Sequence, residues 1–303
     1  MSKTILAILE QGRFPEAVTR RAAQIAKLYD CKLDLVLSDP TIGLLRNRYM
    51  ISGDSKQIAD NVRLAQQEEL ERLASTVSGQ GLEVQTDVIK DRPASDAIIA
   101  RALETQPLFV VKGTEYHSPA ERARITFGDW QLIRKLDYPL WLVKPDDWDE
   151  HPVIIAAVDP MHPHDEQNLL TRAIIDLAKS VADKAAGKLL LLHTYESMEE
   201  VSEYAKFAFK PLKVPVAELE GKMRDEHQAR LASLAATEDI DTAAVNLLPG
   251  RTREILPAFA RSHNASVVVM GAVARTGLKR RMIGSTAEHV IDHVPCDILI
   301  ARG

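Results

Sequence analysis

The sequence predicts an α/β protein built from two tandem, doubly wound domains, each with a five-stranded parallel sheet. Three observations lead to this expectation: the chain has 303 residues, it repeats itself once, and short apolar runs alternate with longer segments of helical period. At about 100 to 200 residues per domain, this length accommodates two hydrophobic cores. Unbroken apolar runs are typical of strands that helices cover on both faces.

The internal repeat is visible in three pairs of matching segments: 3–10 with 152–159, 107–113 with 265–271, and 138–144 with 295–301. A polar run with a proline at each end, residues 145–152, separates the two copies and has the composition of a short, stiff linker. We therefore expect one domain over residues 1–147 and a second over residues 148–303.

Each copy contains five strand-like runs in the same order. In the first copy the strands are expected near residues 3–10, 32–38, 82–90, 107–112 and 139–144. In the second they are expected near 152–159, 187–194, 243–248, 265–271 and 296–302, with helices near 165–185, 214–236, 251–262 and 285–293. Right-handed crossovers favour the strand order 3-2-1-4-5, which opens a ligand crevice between strands 1 and 4. The apolar fifth strands would lie at the sheet edges, so we expect the two domains to pair there as a pseudo-dimer within one chain.

The composition indicates which partners and which cellular location to expect. A net charge of -5 argues against a nucleic-acid or anionic-membrane partner, and no run approaches the roughly 18 apolar residues of a membrane helix. The start of the chain turns acidic too soon for a signal peptide, which predicts a cytoplasmic protein. Cys31 and Cys296 border apolar runs without metal or redox spacing, so both are expected to be buried thiols.

The strongest chemical signal follows the fourth strand of the second copy. The strand ends on Gly271, a loop with four basic residues between positions 275 and 281 follows, and Gly284, Ser285 and Thr286 open a helix. The amides and the positive dipole end of such a helix suit a phosphate, with the two hydroxyls as extra donors. A simple helix cap beside a solvated basic loop remains the alternative.

This stretch resembles the nucleotide loop of the universal stress protein family, G-x2-G-x9-G-[ST], and the resemblance to a tandem member of that family covers essentially the whole chain. It implies a fold like that of the adenine nucleotide alpha hydrolases, and ATP or a related adenine nucleotide, with magnesium, as the small-molecule ligand. It also implies a role in survival under stress. Asp159 would face the adenine and Gly250 the ribose, while the loop would contribute Gly271, Ala274, Arg275, Gly277, Gly284, Ser285 and Thr286.

Two departures from the family pattern affect the ligand. Ala274 stands where the second loop glycine belongs, and its methyl group would weaken ligand binding by on the order of 1 kcal/mol if that position requires a left-handed backbone or close approach of the phosphate. The first copy keeps Gly113 and Gly128 of the loop pattern. Asp129 replaces the Ser or Thr that follows the last loop glycine, and Glu10 stands at the position of Asp159. Because an acid at the phosphate position repels the ligand, the first domain is expected to bind no nucleotide.

Other polar residues form weaker patterns. His162 and His164 lack the spacing of a nucleotidyltransferase, and His289 and His293 have metal-compatible spacing without a third ligand, so no metal site is expected. His193 either lines a pocket or ends a strand.

No catalytic signature appears in the sequence, so we expect a non-enzymatic protein. Two alternative functions stay open: a binding or scaffold protein for an apolar or nucleotide-sugar-linked ligand, and a slow ATPase. Association of two chains into a homodimer also stays open.

Overall fold

The computed structural model describes residues 3–10, 12–38, 53–79, 81–89, 94–114, 127–162, 165, 168–197, 216–274 and 282–302. The chain forms two compact units. Unit 1 comprises Met1–Trp148, Ala272–Gly284 and Cys296–Arg302, and unit 2 comprises Asp149–Gly271 and Ser285–Pro295.

In its described residues, unit 1 contains five strands and four helices from the first copy and three short strands from the second copy. The elements are β1 (Thr4–Leu9), α1 (Pro15–Tyr29), β2 (Lys32–Ser38), α2 (Gly53–Ser78), β3 (Val84–Ile89), α3 (Ala94–Thr105), β4 (Phe109–Gly113), α4 (Phe127–Lys135), β5 (Leu140–Val143), β10 (Val273–Ala274), β11 (Met282–Ile283) and β12 (Asp297–Ile300).

The described part of unit 2 contains four strands and four α-helices. They are β6 (Val153–Ala157), α5 (Leu169–Lys184), β7 (Lys188–Tyr195), α6 (Val216–Thr237), β8 (Val245–Pro249), α7 (Thr252–Ser262), β9 (Ala265–Met270) and α8 (Ser285–His293). A one-turn 3-10 helix, Thr242–Ala244, precedes β8.

The sheet of unit 1 has the order β3-β2-β1-β4-β5-β12. The first five strands are parallel, which confirms the expected 3-2-1-4-5 order. β12 pairs antiparallel with β5, with Leu299 opposite Trp141. The last strand of the second copy thus covers the apolar edge of the first copy's last strand, as an exposed edge of this kind requires.

The sheet of unit 2 has the order β9-β6-β7-β8, with every pair parallel. This order repeats the 4-1-2-3 arrangement of the first copy, and the strand and helix positions expected from the sequence are confirmed. Continuous apolar runs such as Val267, Val268 and Val269 in β9 are fully buried, because helices lie on both sides of these parallel strands.

A buried carboxylate holds β12 in unit 1. Asp297 accepts hydrogen bonds from Nε1 of Trp141 at 3.0 Å, from the backbone N–H of Lys144 at 2.9 Å and from Nε1 of Trp148 at 3.2 Å. Its carboxylate lies 3.2 Å from Nη1 of Arg21, and only 2% of the residue is exposed. Burial raises the pKa of Asp297 to about 6, against the lowering effect of Arg21 and of the hydrogen-bond donors.

Two further expectations concern cysteines and membranes. Cys31 and Cys296 are both buried and unbridged, which confirms the prediction of buried thiols. Among the described helices, none is both long enough and apolar enough to cross a membrane.

Candidate functional site

The candidate site of unit 2 lies at the carboxyl edge of its sheet. β6 and β9 are neighbouring parallel strands, so the residues that follow them emerge at the same edge. Gly271 directly follows β9, and a Cβ at this position would stand only 2.8 Å from Cδ2 of Leu170 in α5. The missing side chain therefore permits close packing of helix α5 against the end of β9.

Asp159 lies two residues beyond β6 and initiates a turn. Its Oδ1 accepts a hydrogen bond from the N–H of Met161 at 3.2 Å, and its carbonyl accepts one from the N–H of His162 at 3.1 Å. The side chain is nevertheless 54% exposed. Asp159 thus closes a turn, which is the alternative considered from the sequence, and its carboxylate remains exposed; the contact with adenine stays a prediction.

A pair of histidines lies beside Asp159. His193, near the end of β7, is 2% exposed, and its Nδ1 is 3.1 Å from the carbonyl oxygen of Val158. Its Nε2 is 2.7 Å from Nδ1 of His227 in α6, and the two rings stack with centroids 5.0 Å apart. Burial lowers the pKa of His193, so the ring is neutral at physiological pH. The sequence indicated that His193 would line a pocket or end the strand, but gave no signal for His227, which is 34 residues away.

Asp165 fixes the chain between β6 and α5. Its carboxylate accepts hydrogen bonds from the N–H of Leu170 at 3.1 Å, and from the N–H and the hydroxyl of Thr171 at 3.0 and 2.8 Å. Burial opposes ionisation, but these hydrogen bonds hold the pKa of Asp165 below its usual value. This side chain therefore caps the start of α5 as a carboxylate.

Gly250 makes a turn that an L residue adopts poorly. Its φ is +123°, its N–H donates to the carbonyl of Tyr195 at 2.8 Å, and an added Cβ would lie 2.9 Å from the side chain of Ile255. Replacement by alanine should lower the free energy of unfolding by about 1 to 3 kcal/mol through backbone strain and crowding.

Urea denaturation measures this effect. Gly221→Ala in helix α6 is the matched control, since a Cβ there meets no atom within 4 Å. Alanine in that helix interior should raise the stability by about 0.5 to 1 kcal/mol, the opposite sign. Equal effects of the two substitutions would contradict the strain at Gly250.

The loop that carries the glycine motif is framed by a two-stranded ladder that the sequence did not predict. β10 and β11 pair antiparallel, with Ala274 opposite Met282, and the N–H of Gly284 donates to the carbonyl of Ala272 at 3.3 Å. Ala274 therefore has the extended backbone of a strand, so the left-handed conformation considered from the sequence does not arise there. Arg275 and Gly277 lie outside the described residues.

The start of α8 is accessible. Ser285 and Thr286 are exposed, and among the described residues no atom lies within 4 Å of a Cβ built at Gly284. The first amides of this helix need partners from outside the helix.

Unit 1 has a different arrangement at the corresponding positions. Lys112, 2% exposed at the end of β4, places its Nζ 2.6 Å from Glu10 and 2.8 Å from Asp129. Arg13 completes a four-residue charge cluster, with contacts of 3.1 Å to Glu10 and 2.7 Å to Asp129. Burial alone would raise the pKa of Asp129, but Lys112 and Arg13 outweigh it and hold that pKa below its usual value.

This charge cluster closes the edge of unit 1 with the protein's own side chains. Asp129 lies in the first turn of α4, where its carboxylate is favoured by the helix dipole. A Cβ at Gly113 would meet the carbonyl oxygen of Arg13 at 2.4 Å, so the chain packs directly over the end of β4. At the matching positions the second copy has Asp159, His162, Met270 and Ser285, so it cannot form the same cluster.

The remaining histidines form no metal centre within the described part of the chain, where no group of three or more potential ligands was found. His289 and His293 stack on α8 with ring centroids 3.8 Å apart, and Nδ1 of His293 contacts the carbonyl of His289 at 2.7 Å. His162 takes part in the turn after Asp159. His164 lies outside the described residues.

Comparison with known proteins agrees with these features. Residues 152–302 match the model of the universal stress protein family. Universal stress protein E of Photorhabdus laumondii is 28% identical over 226 residues, which are 73% of this chain and 70% of that protein. The Escherichia coli K12 protein of the same name is 26% identical over 229 residues, 73% of this chain and 69% of its own.

Solved structures show the same fold over the whole chain. A protein of unknown function from Pseudomonas aeruginosa PAO1 superposes with a TM-score of 0.71 at 22% identity, covering 99% of this chain and 92% of its own. A universal stress protein from Archaeoglobus fulgidus gives a TM-score of 0.64 at 17% identity, covering 100% and 99%. The chain therefore belongs to the universal stress protein family and resembles its tandem type, universal stress protein E.

Proposed function

We propose that unit 2 binds an adenine nucleotide, with magnesium-bound ATP as the first ligand to test, and that the protein serves a cytoplasmic stress response without catalysing a reaction. The observation that carries this proposal is the open start of helix α8. Ser285 and Thr286 are exposed there. The amides of the first turn and the positive end of the helix dipole form a favourable place for a phosphate.

The contrast between the two copies supports this assignment. In unit 1, Asp129 occupies the first turn of α4 and is neutralised by Lys112 and Arg13. In unit 2, the aligned residue is Ser285, which brings a donor instead of a fixed negative charge. In unit 1 the ion-paired carboxylate of Asp129 occupies the position that an anionic ligand would need, whereas Ser285 of unit 2 leaves a hydroxyl donor there.

The other proposed contacts follow the strand ends. The exposed carboxylate of Asp159 can accept a hydrogen bond from the exocyclic amine of adenine. Gly250 and Gly271 directly follow β8 and β9, and Ala274, Arg275, Gly277 and Gly284 belong to the loop that would surround the phosphates. Ala274 has the backbone of a strand, so this position does not require the left-handed conformation that favours glycine.

The proposal is limited to binding because of the hydrogen bonds of His193. Both ring nitrogens of this histidine are engaged with the protein, so its imidazole is not available as a general base.

Binding is tested by a charge placed just before α8. Millimolar ATP with magnesium should raise the melting temperature of the wild type by a few degrees, as a ligand at many times its Kd does. Gly284→Asp should weaken ATP binding at least tenfold, because a carboxylate repels phosphate at this helix start. Among the described residues a Cβ at this position meets no atom within 4 Å, and Asp is a good helix cap, so the protein should still fold.

Gly284→Ser is the matched control, since serine also caps a helix but carries no charge. It should keep the ATP-induced shift. An unchanged melting temperature of the wild type at millimolar ATP would refute the proposal, as would equal ATP affinity of the Asp and Ser variants. Phosphate release that disappears in Gly284→Asp would instead establish a slow ATPase.

A further inference from the structure

Strands β3 and β8 each have one edge, here called the outer edge, that faces no other strand of the described chain. In unit 1, β3 pairs only with β2, and in unit 2, β8 pairs only with β7. Such an edge offers its outward N–H and C=O groups to any strand that lies beside it. A second copy of this chain can present the same strand in antiparallel orientation about a twofold axis, so each outer edge is complementary to itself.

The hydrogen bonds between β2 and β3 show which residues of β3 face outward. The N–H of Leu33 in β2 donates to the carbonyl of Glu83 at 2.9 Å, and Leu33 lies opposite Val84. Glu83 therefore directs its backbone groups toward β2, and successive residues of a strand direct theirs to alternate sides. The residues of β3 that face outward are thus Val84, Thr86 and Val88.

The last of these outward N–H groups already has an acceptor within the strand. The N–H of Val88 donates to Oδ1 of Asp87 at 2.8 Å. The side chain of Asp87 is 55% exposed, and its Oδ2 lies 3.6 Å from Nη1 of Arg101. A strand that paired with Val88 would have to replace this hydrogen bond and to take a charged carboxylate out of water, and both steps are unfavourable.

The outer edge of β8 lacks free N–H groups for other reasons. The N–H of Gly250 donates to the carbonyl of Tyr195 in β7 at 2.8 Å, so the preceding residue faces outward. That residue is Pro249, which has no N–H. At the start of the strand, the outward N–H of Val245 donates to the carbonyl of Thr242. Two of the three outward positions of β8 therefore offer no hydrogen to an added strand.

We propose that Asp87 and Pro249 keep the outer edges of the two units from pairing with the same strands of a second copy of this chain. The composition of β8 shows why such protection is needed: Val245, Leu247 and Leu248 are apolar and only half-buried, which favours association of strands. Any association of two chains then uses other surfaces. This inference does not depend on nucleotide binding.

Sedimentation velocity of the full chain over a range of protein concentrations tests the proposal, with the wild type as reference. Asp87→Ala frees the N–H of Val88, and Pro249→Val supplies an N–H to β8. Each variant should self-associate with a Kd at least about tenfold lower than that of the wild type, the effect of roughly one added hydrogen bond. Arg101 keeps its two hydrogen bonds to Asp34, so Asp87→Ala should still fold.

Three further variants separate the edge N–H from charge and polarity. Gln85→Ala removes another exposed polar side chain from the same face of β3, but the N–H of this residue faces β2, so its association should match the wild type. Asp87→Asn keeps an acceptor oxygen for Val88 without the charge and should associate less than Asp87→Ala. Val88→Pro in the Asp87→Ala background removes the freed N–H and should restore wild-type association.

The outcomes that contradict the proposal are specific to each edge. Wild-type association of both Asp87→Ala and Pro249→Val would overturn it. Pro249→Ala supplies the same N–H with a smaller side chain, so disagreement with Pro249→Val would show that the valine side chain causes the association. Equal association of Asp87→Asn and Asp87→Ala would overturn the role of the occupied N–H in β3, as would tight association of the double variant that contains Val88→Pro.

Discussion

Asp297→Ala should lower the free energy of unfolding by about 3 to 5 kcal/mol, because it leaves the guanidinium of Arg21 buried without its carboxylate. Arg21 is 4% exposed and stacks over the ring of Trp148 at 4.4 Å. The same change removes the acceptor of two indole N–H groups and one backbone N–H, and each buried donor left unsatisfied adds to the loss. Urea denaturation followed by tryptophan fluorescence measures the effect, since Trp141 and Trp148 both contact this carboxylate.

The adjacent ion pair provides the control. Arg20 and Asp147 lie 2.9 Å apart, but their side chains are 56% and 74% exposed. Asp147→Ala should therefore cost no more than about 1 kcal/mol, as is usual for surface pairs. Losses of similar size for the two aspartates would show that the buried carboxylate does not hold β12 in place.

The pH dependence of Asp297 has a defined sign. Its folded-state pKa is raised to about 6, above the ordinary value of 3.8, so the folded protein binds the extra proton more tightly than the unfolded chain. The resulting stability is fully present below the unfolded pKa and is lost as the pH rises through about 6. Between pH 5 and pH 7.5 the wild type should thus lose about 1 kcal/mol relative to Asp297→Asn, which cannot titrate. No change over this range would show that Arg21 keeps the carboxyl ionised in the folded protein.

The sequence predicted most of the fold because the fold follows from local patterns. Continuous apolar runs predicted the strands, as in β9, and the preference for right-handed crossovers predicted the strand order. The sequence did not predict β10 and β11, since strands of two residues are too short to show a periodic pattern. The burial of Asp297 was not predicted either, because an acid at the start of a strand usually faces solvent. Its burial depends on partners that are distant in the sequence.

The candidate site likewise has parts that the sequence predicted and parts that it did not. Asp159, Gly271 and the start of α8 were recognisable because strand ends and helix starts carry local signals. The contact between His193 and His227 joins residues 34 positions apart, and helical periodicity does not specify which residue of α6 reaches the end of β7. The charge cluster of unit 1 was predicted only in part: the acid at position 129 was noted, but its neutralisation by Lys112 depends on tertiary packing.

Lys112→Met should lower the free energy of unfolding by about 2 to 4 kcal/mol, although methionine is the residue found at the matching position of the second copy, Met270. Lys112 contacts both carboxylates of the cluster, so its removal leaves Glu10 and Asp129 with Arg13 as their one remaining cation in the cluster. Because Asp129 is held below its ordinary pKa by these cations, its contribution to stability is present above about pH 4 and is lost on further acidification. Urea denaturation at pH 7 gives the size of the effect.

The double variant Lys112→Met with Asp129→Ser separates charge imbalance from lost packing. It gives unit 1 the two residues of the second copy and leaves Glu10 paired with Arg13 at 3.1 Å, so the charges again balance. We expect the double variant to be more stable than Lys112→Met alone by at least 1 kcal/mol, because replacing a complete buried ion pair costs far less than breaking it. Strictly additive losses would mean that Lys112 and Asp129 act independently, and that the acid at the start of α4 is tolerated there without its buried lysine.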